Sequence, residues 1–152
     1  MHARVAFSFG LRRCNGHKTS AQDEHAPNPA MPRSLDLDST PELGAKILIF
    51  KQKPLQDILL GRKTLEVRSK CFNSGVYWFG CKGVLHAVAK LGPGMRVESE
   101  KDWGRLRQHH LMNSASPPYP RTFVFQILHC ERRKLTFHHT KGAVNIVRYR
   151  GA

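Results

Sequence analysis

Short β-rich stretches follow one another from Lys46 to Tyr149, divided by glycine, proline and asparagine, and they leave little room for long helices. Ile47-Leu48-Ile49-Phe50 is a continuous apolar run of strand length, as expected for a strand buried on both faces. Pro54 suits the first turn of a helix, Leu55, Ile58 and Leu59 share one face of it, and Gly61 fits its C-terminus. Thr64 to Arg68 then alternates, with Leu65 and Val67 on one face and Thr64, Glu66 and Arg68 on the other. Val76 to Phe79 follows an Asn73-Ser74-Gly75 turn, and Val84 to Leu91 ends at the breaker Gly92-Pro93-Gly94. Ser99 followed by Asp102 predicts a helix N-cap, after which Trp103, Leu106 and His110 share a face. Beyond the loop Ser116-Pro117-Pro118-Tyr119-Pro120, residues Phe123, Phe125 and Ile127 alternate with Val124, Gln126 and Leu128 in a long strand. Leu135 to Phe137 and Val144 to Tyr149 read as two more strands. The expected fold class is α+β, mainly β: a small mixed β-barrel of about six or seven strands with two short helices.

Residues 14–44 are rich in Ser, Pro, Asn, Asp and Gly and carry few large apolar side chains. Such a segment cannot bury enough surface to offset its ordering entropy. The organisation expected is a disordered tail over residues 1–44 and one domain over residues 45–152. Residues 1–22 hold Arg4, Arg12, Arg13 and Lys18 and no acid, a bias shared by organelle transit peptides and by tails of no consequence. Val5 to Leu11, broken by Ser8 and Gly10, is short for a secretory signal. No stretch approaches the ~20 consecutive apolar residues of a membrane span, so an intracellular chain, cytoplasmic or nuclear, without a membrane partner is expected.

Charge narrows the partner. The five basic residues of the tail are balanced by five acids, so the whole net charge of +14 lies in residues 45–152. A domain with that excess repels itself unless salt or a polyanion screens it. Nucleic acid is the commonest polyanion in a cell, and its phosphates release counterions on binding. RNA or a nucleotide is the expected partner of a monomer; a soluble basic protein without such a partner is the blander reading. Cys14, Cys71, Cys81 and Cys130 make no CxxC pair and no dense framework, so free thiols in a reducing compartment are expected. The His109-His110 and His138-His139 doublets point their rings apart, and no HxxxH spacing is present. Neither a metal nor a cofactor is expected.

The segment Gly61-Arg62-Lys63-Thr64-Leu65-Glu66-Val67-Arg68 is the most informative in the chain. Gly61 lets the chain turn tightly out of the helix, Lys63 sits at the turn, and Glu66 and Arg68 share a strand face. Opposite charges therefore converge at a helix end. That geometry holds a lysine near a carboxylate, as acid–base chemistry needs, and serves equally as a structural salt bridge that fixes the turn. Lys51 and Lys53 lie two apart after the first strand and, with Lys63 and Arg68, could form a basic rim for a phosphate. Arg132-Arg133-Lys134 reads as a basic turn between strands, suited to phosphate contact or to solubility. Trp78, Phe79, Phe123 and Phe125 are simplest as core, whereas Tyr119 in its proline-rich loop is placed to stack on a base.

Gly61-x-Lys63-x-x-Glu66-x-Arg68 reproduces the GxKxxExR signature of the ASCH family, whose members resemble the RNA-binding PUA domain. The setting is similar as well: a first strand runs into Lys53-Pro54 and a short helix before the motif, and Ser74-Gly75 to Phe79 follows it. Trp103, Tyr119-Pro120-Arg121-Thr122 and Gly142-Ala143-Val144 come later in the family's order, so the resemblance covers residues 46–150. It implies a PUA-like β-barrel with a cleft lined by the motif, and a role with RNA or nucleotides. On that resemblance Lys51, Lys53, Gly61, Lys63, Glu66, Arg68 and Tyr119 are the candidate ligand-binding residues. Some members of the family are hydrolases, including ribonucleases and an amidohydrolase acting on acetylated cytidine through a lysine, a threonine and a glutamate. Lys63 matches that lysine, Glu66 stands in the place of the threonine, and Glu98 and Glu100 are the nearby candidates for the glutamate. The alternative is therefore a metal-independent hydrolase of RNA or a modified nucleoside with Lys63 and Glu66 as catalytic residues. A protein-interaction domain with a vestigial cleft is the third reading.

Overall fold

The computed structural model describes residues 11–14, 40–139, 142 and 145–151. The tail expected over residues 1–44 lies outside them except at 11–14 and 40–44. The elements run β1 (Lys46–Ile49), α1 (Gln52–Leu59), β2 (Leu65–Arg68), β3 (Gly75–Cys81), β4 (Val84–Leu91), β5 (Met95–Val97), α2 (Glu100–Arg105), α3 (Arg107–His110), β6 (Thr122–Thr136) and β7 (Ile146–Arg148). The strands form one mixed sheet, β2-β6-β4-β3-β1-β7, with β5 laid against β6, and the sheet curls into a half-barrel. β1 and β3 are parallel, and the remaining neighbours are antiparallel. Among the described residues no helix is long and apolar enough to cross a membrane.

The apolar run at β1 is buried on both faces, as its composition predicts. Ile47 joins Trp78, Leu85, Val88 and Phe137 on one side of the sheet. Leu48 joins Phe50, Tyr77, Phe79, Phe123 and Phe125 on the other, where Leu55 and Ile58 of α1 complete the packing. A separate cluster gathers Leu65 and Val67 of β2 with Val97, Trp103, Leu106 and Val124. β2 is thus enclosed from both sides. Leu65 and Val67 face Trp103 and Leu106, while Glu66 and Arg68 lie opposite Phe125 and Phe123 in the register with β6.

Three local expectations change. Leu135 to Phe137 is not a strand of its own, because β6 runs unbroken from Thr122 to Thr136 and carries Arg132-Arg133-Lys134 within it. Pairing with β4, from Leu91↔Ile127 to Val84↔Thr136 with two register shifts, holds the charged run extended. The second helix breaks at Leu106, giving three helices among the described residues, and Trp103, Leu106 and His110, expected on one face, are all buried. After the Gly92-Pro93-Gly94 corner the chain resumes pairing with β6 as the three-residue β5, which no sequence pattern announced. Val144 lies outside the described residues, and the last strand is Ile146–Arg148.

The cysteine expectation is corrected too. Cys14 and Cys71, 57 residues apart, are joined as a disulfide, and only Cys81 and Cys130 are free. Residues 11–14 bring this about by lying along β5. Arg13 bridges to Met95, the Cys14 N–H donates to the Gly94 carbonyl at 3.1 Å, and the Arg96 N–H donates to that of Arg12 at 3.1 Å.

Candidate ligand-binding cleft

The site begins at the end of α1. Gly61 takes φ +71°, a conformation that side chains disfavour, and so turns the chain from α1 toward β2. The Asp57 carbonyl accepts the N–H groups of Arg62 and Lys63 at 2.9 and 3.0 Å. The Asp57 carboxylate is held by Lys53 Nζ at 3.1 Å and Arg62 Nη2 at 2.6 Å. The Lys53 hydrogen bond, joined by that of Arg62 and opposed by desolvation, keeps this carboxyl below its ordinary range. Asp57 is therefore the clamp of the turn, and it occupies Lys53.

Lys63 follows and turns inward. Its side chain is only 6% exposed, and Nζ lies 3.2 Å from Glu66 Oε2 as an ion pair without a directed hydrogen bond. Glu66 Oε1 accepts from Arg68 Nε at 2.7 Å. Arg68 Nη2 donates to the Ile49 carbonyl at 3.1 Å, and its guanidinium lies 4.9 Å from the centre of the Phe50 ring. One buried carboxylate thus sits between two cations, and the guanidinium is fixed by a strand carbonyl and an aromatic face. Desolvating three charges is costly, and removing the partner of a buried ion typically costs about 3–5 kcal/mol, so Glu66 is needed wherever the two cations are kept.

Arg68 also lines a cavity of about 260 Å³ with Leu48, Lys70, Cys71, Phe72, Asn145 and Ile146. A second hollow of about 340 Å³, lined by Cys14, Cys71, Phe72, Asn73, Ser74, Pro93 and Gly94, shares Cys71 and Phe72 with it. The smaller cavity is the better candidate because a fixed cation opens into it. Its walls come from the end of β2, the middle of β1, the start of β7 and the segment after β2.

Of the residues singled out from the sequence, Lys63, Glu66 and Arg68 come together, and only Arg68 reaches the cavity wall. Lys51 is exposed at the start of α1, and Lys53 is turned to Asp57, so the four-residue basic rim is not assembled. Tyr119 is 40% exposed in the loop entering β6, where its N–H donates to Thr122 Oγ1 at 3.2 Å, and it is not part of the cavity wall. Glu98 precedes α2 and Glu100 opens it; both are exposed, and the ion pair of Lys63 is made with Glu66. Sequence reasoning missed Lys70, Phe72 and Asn145. Lys70 follows Arg68 by two residues and could have been read from the alternation; Asn145 arrives only through the pairing of β7 with β1. Among the described residues no group of three His, Cys, Asp or Glu side chains could hold a metal ion.

No family model matches the chain, and no curated protein matches it in sequence. A solved structure matches it in fold: a mutant form of an ASCH protein from Zymomonas mobilis, at a TM-score of 0.58 and 12% identity, covering 73% of this chain and 92% of that one. The mostly β half-barrel with short helices is consistent with the PUA-like fold expected. At that identity the likeness is one of backbone, and the match runs over nearly the whole of the other chain.

Proposed function

We propose that this chain is an ASCH-type module that binds RNA or a nucleotide, with the ligand entering the cleft beside Arg68, Lys70 and Asn145. The position of Arg68 supports the reading. Two of its N–H groups are engaged by Glu66 and Ile49, which fixes the guanidinium plane and leaves Nη1 for a ligand oxygen. A guanidinium fixed before binding loses little freedom when it takes up a phosphate or a base edge. Lys70 adds a second cation, and Asn145 a group able both to donate and to accept. Lys63 is paired with Glu66 behind this wall, so binding precedes the hydrolase reading, which needs a reactive group in contact with substrate.

Filter binding of a short single-stranded oligoribonucleotide tests the proposal. Arg68→Ala should weaken binding by about 1–3 kcal/mol, as loss of a charged hydrogen-bond partner does, and Arg68→Lys should recover only part of it. Lys70→Ala, at an exposed position, should have the smaller effect. Unchanged affinity in a folded Arg68→Ala protein would remove the cleft from consideration. Product formation assayed on the same preparations separates the classes: turnover abolished by Lys63→Arg with binding retained would place the hydrolase reading first.

A further inference from the structure

We propose that the Cys14–Cys71 disulfide is a thiol-exchange site that sets the shape of the cleft wall, so that a dithiol reductant changes what the cleft can hold. Lys70, Cys71 and Phe72 are consecutive, and all three line the cavity that Arg68 enters. They belong to the stretch Ser69–Ser74, which has neither helix nor strand. That stretch is anchored at its two ends. Arg68 is in register with Phe123 at one end. At the other, Phe72 stacks on Phe125 at 3.9 Å with planes 4° apart, and the Tyr77 hydroxyl donates to the Asn73 carbonyl at 2.6 Å. Between these anchors Ser69, Lys70 and Cys71 are exposed, and the bond to Cys14 is the covalent tie that holds them.

The partner end meets β5 through one bridge and two backbone hydrogen bonds, with Leu11 and Cys14 packed from outside against the core clusters. Reduction would therefore remove the covalent tie between the two segments, while the buried residues of the core clusters keep their packing. The other cysteines do not compete. Cys81 is buried, and the Cys130 thiol is pushed up to about 11 by burial, which leaves it almost wholly protonated at neutral pH.

The exchange is balanced by one dithiol. A thiolate of the reductant attacks Cys71 Sγ, at the exposed end of the bond, forming a mixed disulfide, and Cys14 leaves as a thiolate and takes up a proton. The second thiol of the reductant then closes on the first, releasing Cys71 as a thiol. Two electrons and two protons pass to the chain, and the reductant becomes a disulfide. In the bonded state the wall is organised before a ligand arrives; in the reduced state a ligand must order it, and affinity falls.

The consequence for binding rests on the cleft reading above, whereas the effect on the wall does not, and two readouts keep them apart. The full chain is prepared oxidised and after dithiothreitol, with Cys14→Ser and Cys130→Ser beside it. Amide hydrogen exchange is followed over residues 69–74, and affinity is measured with a fluorescent oligouridylate. Reduction should accelerate exchange over this stretch and lower affinity about three- to tenfold. Cys14→Ser, whose substitution lies outside the cleft, should behave as the reduced protein with or without dithiothreitol, and Cys130→Ser should keep the difference between the two states. Equal exchange in oxidised and reduced protein would overturn the proposal, as would accelerated exchange with identical affinity. Should the oligouridylate bind neither state, the binding reading fails, and the exchange measurement alone decides whether the disulfide holds the wall.

Discussion

Single side chains here differ in how their burial is made tolerable. Glu66 needs two cations, whereas His110 is buried neutral with both ring nitrogens occupied. The Met112 N–H donates to His110 Nδ1 at 3.0 Å, so the ring proton sits on Nε2 and is donated to the Trp103 carbonyl at 3.2 Å. The ring stacks on Trp103 at 3.7 Å. A second proton would have to enter on Nδ1, against an N–H already pointing at it. Burial lowers the His110 pKa below its ordinary 6.5, and the charges of Lys63, Arg107 and His109 act the same way against the hydrogen bond to Trp103. Burial lowers that of His109 as well. A depressed folded value means that the unfolded chain binds more protons in this window, so stability is complete above 6.5 and is lost as pH falls below it. Urea unfolding between pH 8 and pH 5 should show that fall, and His110→Gln should flatten it; an ordinary titration of His110 by NMR in the folded protein would refute the account. The sequence disclosed part of this. Spacing placed His110 on one face with Trp103 and Leu106, but its acceptor role depends on Leu111 at φ +57°, and nothing in a leucine advertises a left-handed backbone. Likewise the motif spacing put Glu66 and Arg68 on one face of β2 and could not say that Phe123, Phe125 and Phe50 would close over it.

At the level of elements, local pattern located most strands and failed where pairing partners decide the outcome. Val84–Leu91 is bounded as its sequence suggests, because a glycine-proline-glycine corner ends it. The charged half of β6 looks like a turn in isolation and is a strand because β4 pairs along it. The corner itself shows how closely the elements meet. A Cβ on Gly94 would lie 2.7 Å from Phe125 Cε1 and 2.9 Å from Cys71 Sγ, both inside van der Waals contact. Gly104 in α2 has nothing within 4 Å of the same added atom. One substitution should therefore act with opposite signs at the two positions. Gly94→Ala should destabilise by about 1–3 kcal/mol through overpacking. Gly104→Ala should stabilise by about 0.5–1 kcal/mol through helix propensity. Chemical denaturation of both variants checks the pair, and equal effects would show that the close approach at Gly94 is absent in solution.

The chain carries its whole net charge of +14 within residues 45–152, and salt should act on that charge twice, in opposite directions. Screening shortens the reach of repulsion among exposed cations, to a Debye length of about 10 Å at 0.1 M, so moderate salt should raise the melting temperature. Exposed pairs such as Arg105–Asp102 lose some attraction under the same conditions, but pairs of that kind are each worth no more than about 1 kcal/mol. The Lys63–Glu66–Arg68 group, almost removed from solvent, is screened far less and keeps its geometry. Binding to RNA should move the other way. Each phosphate neutralised on a single strand releases counterions, so the logarithm of the association constant should fall with that of salt concentration, by about 0.7 for each contact. Lys70 allows the two effects to be separated. Lys70→Ala removes one exposed positive charge, so it should leave the melting temperature nearly unchanged while making the salt slope of binding shallower by about that same 0.7. Melting curves and titrations over one salt series test both halves. A melting temperature that falls with salt would mean that attractive surface pairs outweigh the excess of positive charge. A binding slope untouched by Lys70→Ala would place the phosphates elsewhere on the basic surface.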